Sequence, residues 1–81
     1  MRCEVLLFAQ LAEAAGEAEL MVDLPDGASV ADALEALSQE HESIAALRNR
    51  IAVAVDEAYV RAGTILEDGC TLVLIPPVSG G

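Results

Sequence analysis

The chain predicts an α+β domain: a mixed sheet of about five strands with one main helix packed across one face. Three observations carry this. Residues 2–8, 20–24, 51–55 and 70–75 are aliphatic-rich runs of strand length. Between the second and third runs, Val30, Ala33, Leu34, Leu37 and His41 recur at helical spacing, so a helix lies on the sheet. Turn-forming residues punctuate the rest, notably Pro25-Asp26-Gly27 and Asp68-Gly69.

Taken in order, residues 2–8 alternate, so Cys3, Val5 and Leu7 point to the core while Glu4, Leu6 and Phe8 point away. Residues 10–15 are alanine-rich and helix-favouring, and Gly16 stands where a helix C-cap glycine belongs. A second strand over 20–24 leads through the Pro25 turn to Ser29, the expected N-cap of the main helix, with Asp32 placed for a capping box. His41 falls at that helix's tail, where a cap-region role outweighs a catalytic or ligand role. Ile44 and Leu47 continue apolar contact through a short helical turn. Residues 51–55 form a third strand, Asp56-Glu57-Ala58 a turn, and Tyr59-Val60 a brief strand. Residues 62–68 read as a loop with Ile65 and Leu66 tucked inward, before the last strand at 70–75.

A helical connection between strands of one sheet is right-handed and normally joins parallel neighbours. A ubiquitin-like β-grasp sheet satisfies this, with the first and last strands side by side in the middle. A ferredoxin-like arrangement needs a second full helix that the sequence lacks. The expected organisation is a β-grasp domain over residues 1–75 and an extended tail over 76–81.

The chain has 81 residues, enough for one small domain, and is 54% hydrophobic. Phe8 and Tyr59 are its only aromatics, so the core is aliphatic and both rings are free for another role. Fourteen acidic residues against four arginines and no lysine give a formal net charge of −10, which argues against nucleic acid and anionic membranes as partners. A basic protein surface is the natural complement, although solubility alone explains such a charge equally well. Cys3 and Cys70 match no metal or redox spacing and read as small buried hydrophobes, a disulfide being the minority reading. No signal peptide or spanning segment is evident, which points to the cytoplasm.

The terminal run Pro76-Pro77-Val78-Ser79-Gly80-Gly81 follows directly on an apolar strand. Two prolines end the ladder and stiffen the exit, and two glycines without Cβ atoms suit a narrow slot. Together with Phe8-Ala9-Gln10-Leu11-Ala12-Glu13-Ala14-Ala15-Gly16 and the Leu66-Glu67-Asp68-Gly69 turn, this tail resembles the small subunit of molybdopterin synthase, the MoaD family of β-grasp sulfur carriers. The family often carries a basic residue near the position held here by Ala12.

The resemblance implies that Gly81 is the reacting residue, its carboxylate adenylated with ATP by an E1-like activating enzyme and then converted to a thiocarboxylate. Pro77, Val78, Ser79 and Gly80 would insert into the large synthase subunit, which passes the sulfur to cyclic pyranopterin monophosphate in a heterotetramer. No metal and no bound cofactor are expected. Phe8, Tyr59 and Ile75 are the expected partner-binding residues, on the face opposite the helix. No nucleophile, base and orienting group converge, so the chain is expected to donate sulfur without an active site of its own. Other readings are a sulfur carrier for thiamine or tRNA thiolation, a ubiquitin-like modifier conjugated through Gly81, and a plain interaction module.

Overall fold

In the computed structural model, residues 1–78 are described. The strands are β1 (Arg2–Leu7), β2 (Glu19–Asp23), β3 (Ala52–Val55), β4 (Ala58–Val60) and β5 (Thr71–Ile75). The helices are α1 (Ala9–Ala15), α2 (Val30–Glu40) and α3 (Glu42–Leu47), the last followed by a 3-10 turn at Arg48–Arg50. The sheet order is β2-β1-β5-β3-β4. β1 and β5 are the parallel central pair, and every other pairing is antiparallel. This is the ubiquitin-like β-grasp, with α2 carrying the chain from β2 on one side of the central pair to β3 on the other, so the strands it joins are parallel but are not the neighbours expected.

Alternation decides the sheet's inner face. Cys3, Val5 and Leu7 of β1 are buried, as are Leu72 and Leu74 of β5, and Leu7 stands opposite Leu74 in the parallel register. Against them α2 presents Val30, Ala33, Leu34 and Leu37, all buried, with Leu11 of α1 and Ile44 of α3 closing the ends. The Ser29 side chain accepts the Asp32 amide while the Asp32 carboxylate accepts the Ser29 amide, so the helix start is fixed from both sides. His41 ends α2 in an extended conformation and is also the N-cap of α3.

Gly16 caps α1 at φ 80°, the left-handed region that glycine enters without a Cβ penalty. The β3–β4 turn needs the same region at two residues but has no glycine: Asp56 and Glu57 sit at φ 47° and 74°. Ala12 is half-buried against the core.

The expectation that Ile65 and Leu66 both turn inward is half wrong. The Leu66 amide donates to the Ala28 carbonyl, and Ser29 bridges Ile65, so the segment is locally extended. Consecutive side chains in extended backbone point to opposite sides. Leu66 takes the core at 4% exposure and Ile65 is left 61% exposed.

Candidate docking face and tail root

With α1, α2 and α3 on one side of the sheet, no described helix covers the other side. Its composition follows from register. Leu6 pairs with Glu19 and Val73, Val73 with Ala54, and Ala54 with Tyr59, so one row of this face crosses all five strands. Ile75 pairs with Ala52 at the next position along β5 that shares the face. Phe8 continues β1 beyond the Leu7–Leu74 pair in extended conformation (φ −115°, ψ 153°), which carries it into line with Ile75.

Phe8 and Ile75 therefore lie on neighbouring strand ends, and Tyr59 lies two strands beyond Ile75. At about 4.8 Å per strand, Phe8 and Tyr59 bracket a patch about 14 Å wide. Phe8 is 50% and Tyr59 76% exposed, an unusual state for a chain's only two aromatic rings. Leu6 and Val73 line a depression of about 400 Å³ on this face together with Asp56, Glu57 and Thr71. Alternation in the sequence turns Leu6 to this face, while Val73 and the largely buried Ala54 join it through the register.

The face is polarised along the strands. The end from which β5 leaves carries Phe8, Ala52 and Ile75. The opposite end carries Glu4, paired with Thr71, and the Asp56-Glu57 turn. Asp56 is held there because its carboxylate accepts the Thr71 amide at 3.3 Å while its own amide donates to the Thr71 carbonyl. Arg50 and Arg61 flank the β3 and β4 ends nearest the exit. Among the described residues neither joins an ion pair, whereas Arg2 pairs with Asp23 and Arg48 with Glu35.

Pro76 and Pro77 follow Ile75 with partial burial, and Val78 is 92% exposed, so the chain is already clear of the domain there. Neither proline can donate to a ladder, and each fixes its own φ. Ser79, Gly80 and the expected reacting residue Gly81 lie outside the described residues. Among the described residues no cluster of His, Cys, Asp and Glu has the makings of a metal site. No described helix is long and apolar enough to cross a membrane.

A five-stranded β-grasp domain with a bare apolar face and a proline-stiffened C-terminal exit defines a ubiquitin-like protein, which presents a surface rather than enclosing a pocket. Its family is specific: the chain belongs to the ThiS family, which matches residues 5–81. It is similar to the molybdopterin synthase sulfur carrier subunit of Chlamydomonas reinhardtii, 35% identical with the whole of both chains covered. The crystal structure of SAMP1 from Haloferax volcanii superposes with a TM-score of 0.88 at 35% identity, again over the whole of both chains. Subunits 1 and 2 of the molybdopterin-converting factor from Helicobacter pylori form a protein–protein complex. A chain of it matches at 27% identity and a TM-score of 0.70, with both chains fully covered.

Proposed function

We propose that this chain is the sulfur-carrying small subunit of a molybdopterin synthase, with the Gly81 carboxylate as the group that carries sulfur. The observation that supports it most is full-length similarity to a molybdopterin synthase sulfur carrier subunit, running through the Gly80-Gly81 end. An α-carboxylate has a pKa of about 3.5, so at neutral pH it is ionised and a poor electrophile. An E1-like enzyme supplies the activation. A carboxylate oxygen attacks the α-phosphorus of ATP, pyrophosphate leaves, and an acyl-adenylate forms. Hydrosulfide then attacks the acyl carbon, AMP leaves, and the thioacid loses its proton to give a thiocarboxylate, whose sulfur is the softer and more nucleophilic atom.

In this reading Phe8, Ile75 and Tyr59 seat the domain on the large subunit while Pro77, Val78, Ser79 and Gly80 thread the terminus into that subunit's active site. There the thiocarboxylate donates its sulfur to cyclic pyranopterin monophosphate, towards the dithiolene. The H. pylori complex of two converting-factor subunits is the precedent for such a partner. The reaction belongs to the partner's active site, and this chain contributes no catalytic group beyond its own end.

The test is reconstitution with the activating enzyme, a sulfur source and the large subunit. Product is expected with the wild-type chain and none with Gly81→Ala or with one residue added after Gly81. Sulfur transfer by either variant would sink the assignment of the tail.

A second reading has its own support. SAMP1 is named a small archaeal modifier protein, and the Haloferax volcanii sequence of that name is 39% identical over 93% of this chain and 95% of its own length. The same Gly81 end would then form an isopeptide bond with a lysine of another protein. Covalent adducts bearing this chain, absent in Gly81→Ala, would favour that reading.

A further inference from the structure

Cys3 and Cys70 are 67 positions apart in sequence, yet their Sγ atoms lie 2.9 Å from each other. Both side chains are buried and both thiols are free in this structure. Their approach is dictated by the sheet. Glu4 pairs with Thr71 in the parallel ladder between β1 and β5, and the Glu4 amide donates to the Cys70 carbonyl at 3.0 Å, so Cys3 and Cys70 are the next pair along. Neighbouring strands run about 4.8 Å apart, inside the range of about 4.4–6.8 Å between Cα atoms that a disulfide bridges without moving backbone. Since Cys3 shares its face with Val5 and Leu7, both thiols enter the core from the same side.

We infer that Cys3 and Cys70 form a latent dithiol that oxidises to an intramolecular disulfide joining the first and last strands of the sheet. With a low-molecular-weight disulfide as oxidant, one cysteine thiolate attacks an oxidant sulfur. A mixed disulfide forms and the first oxidant thiolate leaves. The second cysteine thiolate then attacks the protein sulfur of that mixed disulfide and expels the other oxidant thiolate. Both cysteine protons end on the departing thiols, so the oxidant is reduced by two electrons and the protein loses two hydrogens.

The surroundings make this bond slow to form and persistent once made. The pair is covered by the Glu67–Gly69 turn, tied down by the Gly69 amide on the Arg2 carbonyl and the Arg2 amide on the Asp68 carboxylate. Cys3 also points its thiol at the Glu67 carbonyl at 3.6 Å. Burial, and then the contact with Cys3, push the Cys70 thiol up to about 12, so little thiolate is present at neutral pH. The bond would close nearly the whole chain into one loop and pin β5, the strand from which the tail emerges, to β1.

The experiment uses the folded wild-type chain, incubated at pH 8 with excess glutathione disulfide and followed by intact mass, non-reducing electrophoresis and peptide mapping. The expected product is a monomer lighter by two hydrogens, with Cys3 linked to Cys70, reversed by dithiothreitol and absent in Cys3→Ala and Cys70→Ala. Loop closure on this scale predicts a Tm higher by about 10 °C or more in the oxidised form. Four results would overturn the inference: two thiols persisting after prolonged incubation, a stable glutathione adduct as end product, a disulfide-linked dimer, or an oxidised monomer with a lower Tm.

Discussion

Leu6 lies directly across from Val73 in the parallel ladder between the two central strands, on the sheet face that no helix covers. Around this pair the patch extends to Phe8, Ile75, Ala54 and Tyr59, so the apolar surface is continuous from the sheet centre to the root of the tail. Exposed apolar patches around large rings are favoured at protein interfaces, and in the proposed function this one meets the large subunit. Tyr59→Ala and Val73→Asp are therefore expected to weaken binding to the large subunit at least about tenfold, the range of an interface hot spot. Tyr59→Ala should leave the Tm nearly unchanged. Isothermal calorimetry beside a thermal melt reads both, and Tyr59→Ala binding like wild type would remove the ring from the docking surface.

The Ser29–Asp32 capping box holds the start of α2, the longest of the described helices. Ser29→Ala removes the acceptor for the Asp32 amide and is expected to cost about 1 kcal/mol. For a domain of this size that corresponds to a Tm lower by about 4–8 °C. Differential scanning calorimetry checks the value, and partner affinity should not change.

Glu57 occupies a left-handed conformation that costs a residue with a Cβ about 1–2 kcal/mol relative to its ordinary region. Glu57→Gly is expected to raise stability by about 1 kcal/mol, because the hairpin turn between β3 and β4 favours glycine at that place. Asp56 should be left intact, since its carboxylate serves the Thr71 amide. A urea unfolding curve with an unchanged slope and a higher midpoint is the expected result.

Acid sensitivity follows from two ion pairs. Hydrogen bonding to Arg48 holds the Glu35 carboxyl below its usual range, and hydrogen bonding to Arg2 does the same for Asp23. A carboxyl depressed in the folded state binds fewer protons there than in the unfolded chain. Its contribution is present above the unfolded value of about 4 and is lost as pH falls through the lower folded one. Both pairs are solvent-exposed, so each contribution is small and screened by salt. The Tm difference between wild type and Glu35→Gln is expected to shrink between pH 7 and pH 3, and a gap that grows in acid would reverse the sign of the argument.

Much of the fold was legible because its signals are local. The alternation of Cys3, Val5 and Leu7, the αL glycines at 16 and 69, and the Ser29–Asp32 spacing each specify backbone without reference to distant residues. Where the reading failed, the deciding partner was remote. Ile65 was expected inside, and only its bridge to Ser29 shows that Leu66 alone can face the core. The Cys3–Cys70 approach depends on the parallel register of β1 with β5, which spacing along the chain does not encode. On the sheet face away from the helices, the exposure of Phe8 and Tyr59 and the place of Ile75 follow from alternation and from the scarcity of aromatics. Alternation also turns Leu6 to that face, whereas the place of Val73 beside it follows from the parallel register of β1 with β5. The residue of greatest chemical interest, Gly81, was read from motif alone and lies outside the described residues.

Whether Gly81 carries sulfur is read by intact-mass spectrometry of the chain purified from its native cells. The expected species is heavier by the exchange of one oxygen for sulfur, localised to the C-terminal peptide and missing from a Gly81→Ala chain. A terminus that stays an ordinary carboxylate when the activating enzyme, ATP and a sulfur source are all supplied would contradict the proposed role of Gly81.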